Sequence, residues 1–267
     1  MKPKMTVIVI CCVLVALFCS AGPAQAENPE HSKTESLAKE VSLSFSSNFR
    51  SRYVSFGIAD SEGWVWQPSA NIEWKGIGFN VWGNLVMEDK ADRGTFNEVD
   101  LTAYYDINFH NFNIHPYFTV FLYPTDNKFS LDYSSYSDVL PSLYLSYFFK
   151  PFNVFINAQF YTHPTPWALR SEMGLGFTEE LPMNFGINSS GLVGFDNSRR
   201  NKAEFNISET TFDYFTYSIA IPWKPIKGLV IKPNAYVTAY FQQKFRNATR
   251  YPVQVYGGLD LSYNFSP

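Results

Sequence analysis

Charged side chains recur at alternate positions within otherwise apolar segments. Arg50 and Arg52, Glu98 and Asp100, and Arg170 and Glu172 each stand two residues apart; Asp106, Lys232 and Asp260 occupy segments of the same kind. Residues two apart on an extended chain point to the same side. Each pair therefore projects onto one face. Fixed charges of both signs on one face suit a polar surface that orients and selects a passing solute. The same groups, paired with one another, would instead hold that surface together. Bond-making chemistry is poorly supplied. His31, His110, His115 and His163 stand at no metal-ligand spacing. A hydrolase needs a nucleophile, a base and an orienting group, and only His163 with Ser171 or Glu172 can be assembled. Phosphate loops, dinucleotide fingerprints and calcium loops are absent from the sequence. The reading thus assigns no catalytic residue, no metal ligand and no cofactor. It assigns nine pore-lining candidates: Arg50, Arg52, Glu98, Asp100, Asp106, Arg170, Glu172, Lys232 and Asp260.

The segments that carry these charges are strands. Val99, Leu101, Ala103, Tyr105, Ile107 and Phe109 alternate with Glu98, Asp100, Thr102, Tyr104, Asp106 and Asn108. Phe152, Val154, Ile156, Ala158 and Phe160 alternate with polar partners, and so do Leu229, Ile231, Ala235, Val237, Ala239 and Phe241. Twelve such strands start near Val41, Trp64, Ile77, Phe96, Phe112, Ser137, Phe152, Ala168, Met183, Thr211, Leu229 and Pro252, with ten as the competing count. Gly191, Gly194 and Asp213 blur the alternation. The gaps between strands alternate in length. Short ones fall at 75–76, 110–111, 150–151, 179–182 and 224–227; long ones at 56–63, 89–95, 124–136, 163–167, 196–209 and 243–251. That order predicts a single transmembrane antiparallel up-and-down β-barrel, all-β, with short periplasmic turns and longer outer loops. Trp74, Phe109, Phe112, Phe149, Phe152 and Trp223 lie beside the short gaps in the apolar register, where an interfacial belt belongs.

The start of the chain fits export. Lys2 and Lys4, an apolar run over 6–18 and Ala24-Gln25-Ala26 make a cleavable signal peptide over 1–26. Phe18 is too bulky to precede a lipidated Cys19. Residues 27–40 read as a polar periplasmic leader and 41–267 as the barrel. Cys11, Cys12 and Cys19 all fall in the signal segment, which leaves the mature chain without disulfides. Subtracting Lys2 and Lys4 from 21 basic residues leaves 19 against 24 acidic, a net −5. So weak an acidic excess argues against a nucleic-acid partner. The outer-loop residues Arg199, Arg200, Lys202, Lys244, Arg246 and Arg250 would attract anionic solutes or lipopolysaccharide phosphates.

Residues 47–84 resemble the TorF-type family of outer-membrane porins, largely of unknown function. The resemblance rests on Ser51-Arg52-Tyr53, Gly57-Ile58, Gln67-Pro68-Ser69, Gly76-Ile77-Gly78-Phe79 and Trp82-Gly83-Asn84. It implies a channel-type barrel and no catalytic residues. Leu259, Leu261, Tyr263 and Phe265 resemble the C-terminal signal read by the barrel-assembly machinery, although Ser266-Pro267 follows the last Phe.

The expectation is therefore a Gram-negative outer-membrane porin for passive diffusion of small hydrophilic solutes. Both its termini would be periplasmic, and its partners are membrane lipids, lipopolysaccharide, the assembly machinery and the solutes themselves. Its rivals are a lipid-modifying enzyme and a plugged structural or adhesive barrel. In one expected arrangement, Arg50 and Arg52 face Glu98 and Asp100 across the lumen and set up a transverse field.

Overall fold

A computed structural model describes residues 41–88, 93–124, 133–161 and 167–265. The signal and leader segments, with His31, and His163 lie outside the described residues. The chain runs β1 (Val41–Arg50), β2 (Val54–Ser55), β3 (Ile58–Ala59), β4 (Val65–Trp74), β5 (Ile77–Val86), β6 (Phe96–Tyr105) and β7 (Ile107–Phe109). It continues through β8 (Phe112–Pro124), β9 (Tyr133–Phe149), β10 (Phe152–Tyr161), β11 (Ala168–Leu181) and β12 (Phe185–Asp196). Helix α1 (Ser198–Phe205), β13 (Thr211–Ala220), β14 (Leu229–Tyr240), helix α2 (Gln243–Ala248) and β15 (Val253–Phe265) complete it.

Apart from the small β2–β3 pair, every segment belongs to one antiparallel sheet, and β1 pairs with β15. β7 continues β6 past Asp106 in one register, Tyr104 opposite Tyr117 and Ile107 opposite Ile114. The thirteen sheet segments therefore form twelve wall strands, and the β6–β8 pairing closes the ring. The barrel is closed and up-and-down, with twelve strands rather than ten. Closure satisfies the backbone of every wall strand inside the wall, which hydrocarbon demands.

Two strands depart from their expected limits. β9 begins at Tyr133, inside the expected 124–136 gap. β11 runs to Leu181 because Glu179, Glu180 and Leu181 still pair with Ile187, Gly186 and Phe185. The turn there is a 3-10 turn over Pro182–Asn184, not 179–182. At the β4–β5 turn, Lys75 and Gly76 both take positive φ, 50° and 84°. That is the backbone of a two-residue type I′ hairpin, whose twist matches the flanking strands.

The apolar register points outward. Leu43, Phe45, Ile72, Phe79, Val81, Val154, Ile156, Leu175, Ile219 and Val237 are all exposed on the barrel surface. Left in water, such a surface would cost about 25 cal/mol per Å²; a hydrocarbon surround removes that cost. Trp74, Phe109, Phe112, Phe149, Phe152 and Trp223 are exposed as well, ringing the short-turn end.

Two bulges interrupt the ladder, and the first explains the blurred alternation around Gly194 and Asp213. Val193 pairs with Phe215, but Phe195 pairs with Phe212. β13 thus carries one extra residue opposite Gly194, and Asp213 and Tyr214 both turn inward, each 1% exposed. Gly194 is required there, since a Cβ would lie 2.0 Å from the Tyr214 ring. A second bulge sits on β6, where Asn84 pairs with Glu98 but Leu85 pairs with Phe96, leaving Asn97 as the extra residue. It turns Asn97 inward beside Glu98, and the Asn97 side chain accepts from Asn84 Nδ2 at 2.7 Å.

Candidate solute passage

The long loop after β1 does not stay outside. Val54-Ser55 and Ile58-Ala59 pair as a hairpin across a Phe56-Gly57 turn. Both turn residues have positive φ, 49° and 83°, the second favouring glycine. This hairpin lies inside the barrel at its long-loop end. Its tip reaches across to the wall formed by β11, β13, β14 and β15. Gln254 Nε2 donates to the Gly57 carbonyl at 2.6 Å. The Arg170 guanidinium lies 4.5 Å above the Phe56 ring. A Cβ on Gly57 would come within 2.9 Å of the Tyr214 ring. The stem of the loop is held by Tyr53, whose N–H donates to Ser61 Oγ at 3.1 Å and whose ring packs on Trp82 at 5.6 Å. Its outer base is tied to the last loop by the Arg250–Glu62 ion pair and by Arg52 stacked on Tyr251 at 4.3 Å.

Two helices complete the closure on that side. Asn197 caps α1 by accepting from the Arg200 N–H at 3.0 Å. Asn201 is fully buried and donates to the carbonyls of Asp196 and Glu209. α1 is thereby fixed against the rim. Phe205 of α1 and Phe245 of α2 meet at 5.2 Å, and Phe205 packs on Tyr240 at 5.6 Å. Tyr214, Tyr240 and Phe245 form a buried apolar cluster with Phe56, Leu192, Phe205 and Ile207 around it. An apolar core inside a barrel lumen is what anchors the hairpin tip.

What remains open is a cavity of about 290 Å³ between the hairpin and the opposite wall. The hairpin gives it Phe56 and Asp60, β6 gives Glu98, β10 gives Tyr161, and α1 gives Arg200 and Glu204. Arg200 pairs with Glu204 one helical turn on and lies 4.1 Å over the Tyr161 ring.

The nine candidates fare differently. Eight face the lumen. Arg50 pairs with Asp260, which also receives Lys232 Nζ at 3.2 Å. Arg170 grips Asp196 with two nitrogens, Nε at 3.1 Å and Nη2 at 2.9 Å, and both residues are almost wholly buried. Glu172 accepts from the Tyr214 hydroxyl. Asp106 holds His115 Nδ1 at 2.8 Å and Asn113 Nδ2 at 3.1 Å. Glu98 is 7% exposed beside Asp100. Arg52 is the exception. β1 ends at Arg50, so Arg52 lies beyond the wall, on Tyr251. The expected field between Arg50/Arg52 and Glu98/Asp100 is thus not what forms, because Arg50 is already neutralised within its own wall.

Sequence reasoning missed Asp60, Asp196, Asp213, Glu204 and Gln254. The alternation Val54-Ser55-Phe56-Gly57-Ile58-Ala59 carried the hairpin signal, but nothing local says that the hairpin turns inward. The outer basic residues are largely paired: Arg200 with Glu204, Lys244 with Glu209 and Arg250 with Glu62. Of the hydrolase set, His163 lies outside the described residues. Ser171 faces outward, opposite Ala158, while Glu172 faces the lumen, opposite Asn157. Among the described residues no group of His, Asp or Glu is placed to hold a metal.

The barrel is similar to two solved outer-membrane channels. The COG4313 outer membrane channel from Pseudomonas putida F1 matches with a TM-score of 0.51 at 10% identity, over 89% of this chain and 100% of that one. The NanC porin matches with a TM-score of 0.50 at 11% identity, over 83% and 98%. At such identity the likeness establishes the fold. No family model matches the sequence, and no curated protein does.

Proposed function

We propose that this protein is a narrow outer-membrane channel through which small hydrophilic solutes diffuse, with its short turns and both termini on the periplasmic side. The observation that carries this reading is the polar lumen. Ser44, Ser46, Asn71, Asn80, Thr102, Asn153 and Ser218 line the inner face on strands all round the wall, and all are partly solvent-accessible. A barrel whose interior served only to hold it together would fill that space with interlocking side chains. Here the apolar filling lies at the long-loop end, and polar side chains elsewhere, such as Tyr104 with Asn71 and Tyr117 with Asn157, hydrogen-bond along the wall. The resemblance of residues 47–84 to TorF-type porins and the channel folds of the structural neighbours support the same class. The nine charged candidates then act as two groups: Arg170 and Glu172 as supports of the hairpin's docking wall, and the others, Arg52 apart, as the lining of the path. Outer-loop cations such as Arg199 and Lys202 face the zone where lipopolysaccharide phosphates lie.

A second reading, a plugged barrel, is favoured by the threaded hairpin and its apolar anchor. Purified protein in a planar bilayer separates the two. Discrete steps of small unitary conductance are expected; a sealed membrane at protein levels that give insertion would sink the channel reading. Orientation is tested on intact cells carrying single cysteines, since the mature chain has none of its own. Positions 62 and 202 should label with an impermeant maleimide, and 75 and 150 should not. The opposite pattern would invert the topology.

A further inference from the structure

We infer that the cavity beside the hairpin is a selectivity site for small cationic solutes, inorganic or ammonium-bearing, and that Asp60 is its specificity-determining residue. This rests on the channel reading above.

Five charged residues line the cavity: Asp60, Glu98, Glu204, Arg170 and Arg200. Both arginines are engaged. Arg170 is gripped by Asp196 and covered on one face by Phe56. Arg200 is paired with Glu204 and lies against Tyr161. Neither presents an uncompensated positive charge to the opening. The carboxylate of Asp60 is different. It is exposed to the cavity, it sits on the inserted hairpin rather than in the wall, and its backbone N–H is anchored to the Tyr53 carbonyl at 2.9 Å. Glu98 faces it from β6, with Asp100 two residues along on the same face. Among the described residues, the field across the opening is therefore negative. A low-dielectric wall around a narrow opening focuses such a field onto whatever passes. The cavity lies at the small end of ligand-pocket sizes, so a small solute is the class that fits.

The surroundings also make the selectivity respond to pH. Burial first, then the carboxylates of Glu98 and Glu204, raise the Asp60 carboxyl to about 8, with Arg170 and Arg200 pulling the other way. The phenol of Tyr53, in the same loop, is pushed well up by burial and by Glu98, Asp60 and Asp100, so it stays neutral and adds no charge. Tyr123 from β8 and Tyr161 from β10 complete the titratable lining. Asp60 is protonated below its raised value and ionised above it. Cation preference should therefore rise as pH increases through about 8.

The test is the reversal potential of the purified full-length mature protein in a planar bilayer under a potassium chloride gradient, read at pH 6 and pH 9. Wild type should prefer potassium over chloride at both, more strongly at pH 9. Asp60→Asn should lose the difference between the two pH values and lower the potassium-to-chloride ratio at pH 9 by roughly fivefold, the scale of one charge about 4 Å away at the dielectric of water, as in a hydrated passage. Asp60→Lys should move it further, toward chloride. Glu179→Gln, exposed at the short-turn end of β11 and far from the hairpin, should leave both readings as in wild type. Choline at the outer side should reduce the potassium current in wild type more than in Asp60→Lys. Chloride preference in wild type, or one reversal potential shared by wild type, Asp60→Asn and Asp60→Lys, would overturn the inference while leaving a conducting channel. Absence of conductance in wild type would instead remove the channel reading on which it rests.

Discussion

Replacing Arg170 with Gln should lower the stability of the folded barrel by about 3–5 kcal/mol, the largest loss expected from any single lumen substitution. Arg170 stands among acidic groups that have little else to meet. Asp196 is fully buried and takes two of its nitrogens. Asp213, brought inward by the β13 bulge, is 1% exposed, and neither of its carboxylate oxygens has a hydrogen-bond partner. Glu172 faces the same space and is held by Tyr214. Removing the one arginine leaves these carboxylates desolvated and mutually repulsive, whereas the pair as built is close to neutral in its net effect. Arg170→Lys should fall between wild type and Arg170→Gln, because an ammonium keeps the charge but not the planar fork that meets Asp196 at two points. Urea unfolding in detergent or vesicles, followed by the mobility difference between folded and unfolded barrel, measures this. A glutamine variant as stable as wild type would show that the carboxylates find other partners and that Arg170 is not the keystone of this wall.

Replacing residues 54–59 with Gly-Gly should raise the unitary conductance several-fold without loss of the barrel. The hairpin makes no contribution to the wall, since β1 and β4 pair directly along their whole lengths, from Val41 opposite Trp74 to Arg50 opposite Val65. What it does is occupy the lumen. Its tip is held by the Gln254–Gly57 hydrogen bond, by Arg170 over Phe56 and by the Tyr214–Tyr240 cluster. Deleting it removes that obstruction and leaves the α1–α2 side of the closure in place. Gln254→Ala is the gentler version. It removes one tether to a buried backbone carbonyl, so the expected change is more frequent flicker between conductance levels rather than a larger single level. If the deletion variant conducts like wild type, the constriction lies elsewhere in the barrel.

The division between sequence and fold follows from the range of the interactions involved. Alternation is a property of neighbouring residues, so it already marks which face of each strand meets lipid and which meets the lumen. It placed eight of the nine charged candidates on the inner face, and it placed the strand starts at Val41, Ile77, Phe96, Phe112, Phe152, Ala168, Thr211 and Leu229 where they are found. The hydrophobic pattern and the order of gap lengths were enough for a closed twelve-stranded barrel, because hydrocarbon allows a sheet no free edge. Arg52 was misplaced by the same logic carried two residues too far, past the point where β1 stops pairing. Three things were decided only in three dimensions. The bulges at Asn97 and Asp213 depend on a partner strand to register against; on the single chain the one at Asp213 reads only as noise in the period, and the one at Asn97 leaves no mark. The identity of each ion pair depends on closure: Arg50 and Asp260 are 210 residues apart in sequence and meet because β1 and β15 close the ring. The inward turn of the 54–59 hairpin depends on Gln254, Tyr214, Tyr240 and Arg170, four residues from four strands, which form a docking surface only once the wall is assembled. Asp60 came into view with that turn. On the sequence it is one more loop carboxylate, and it becomes the lining of a passage because residues on the far side of the barrel hold its loop there.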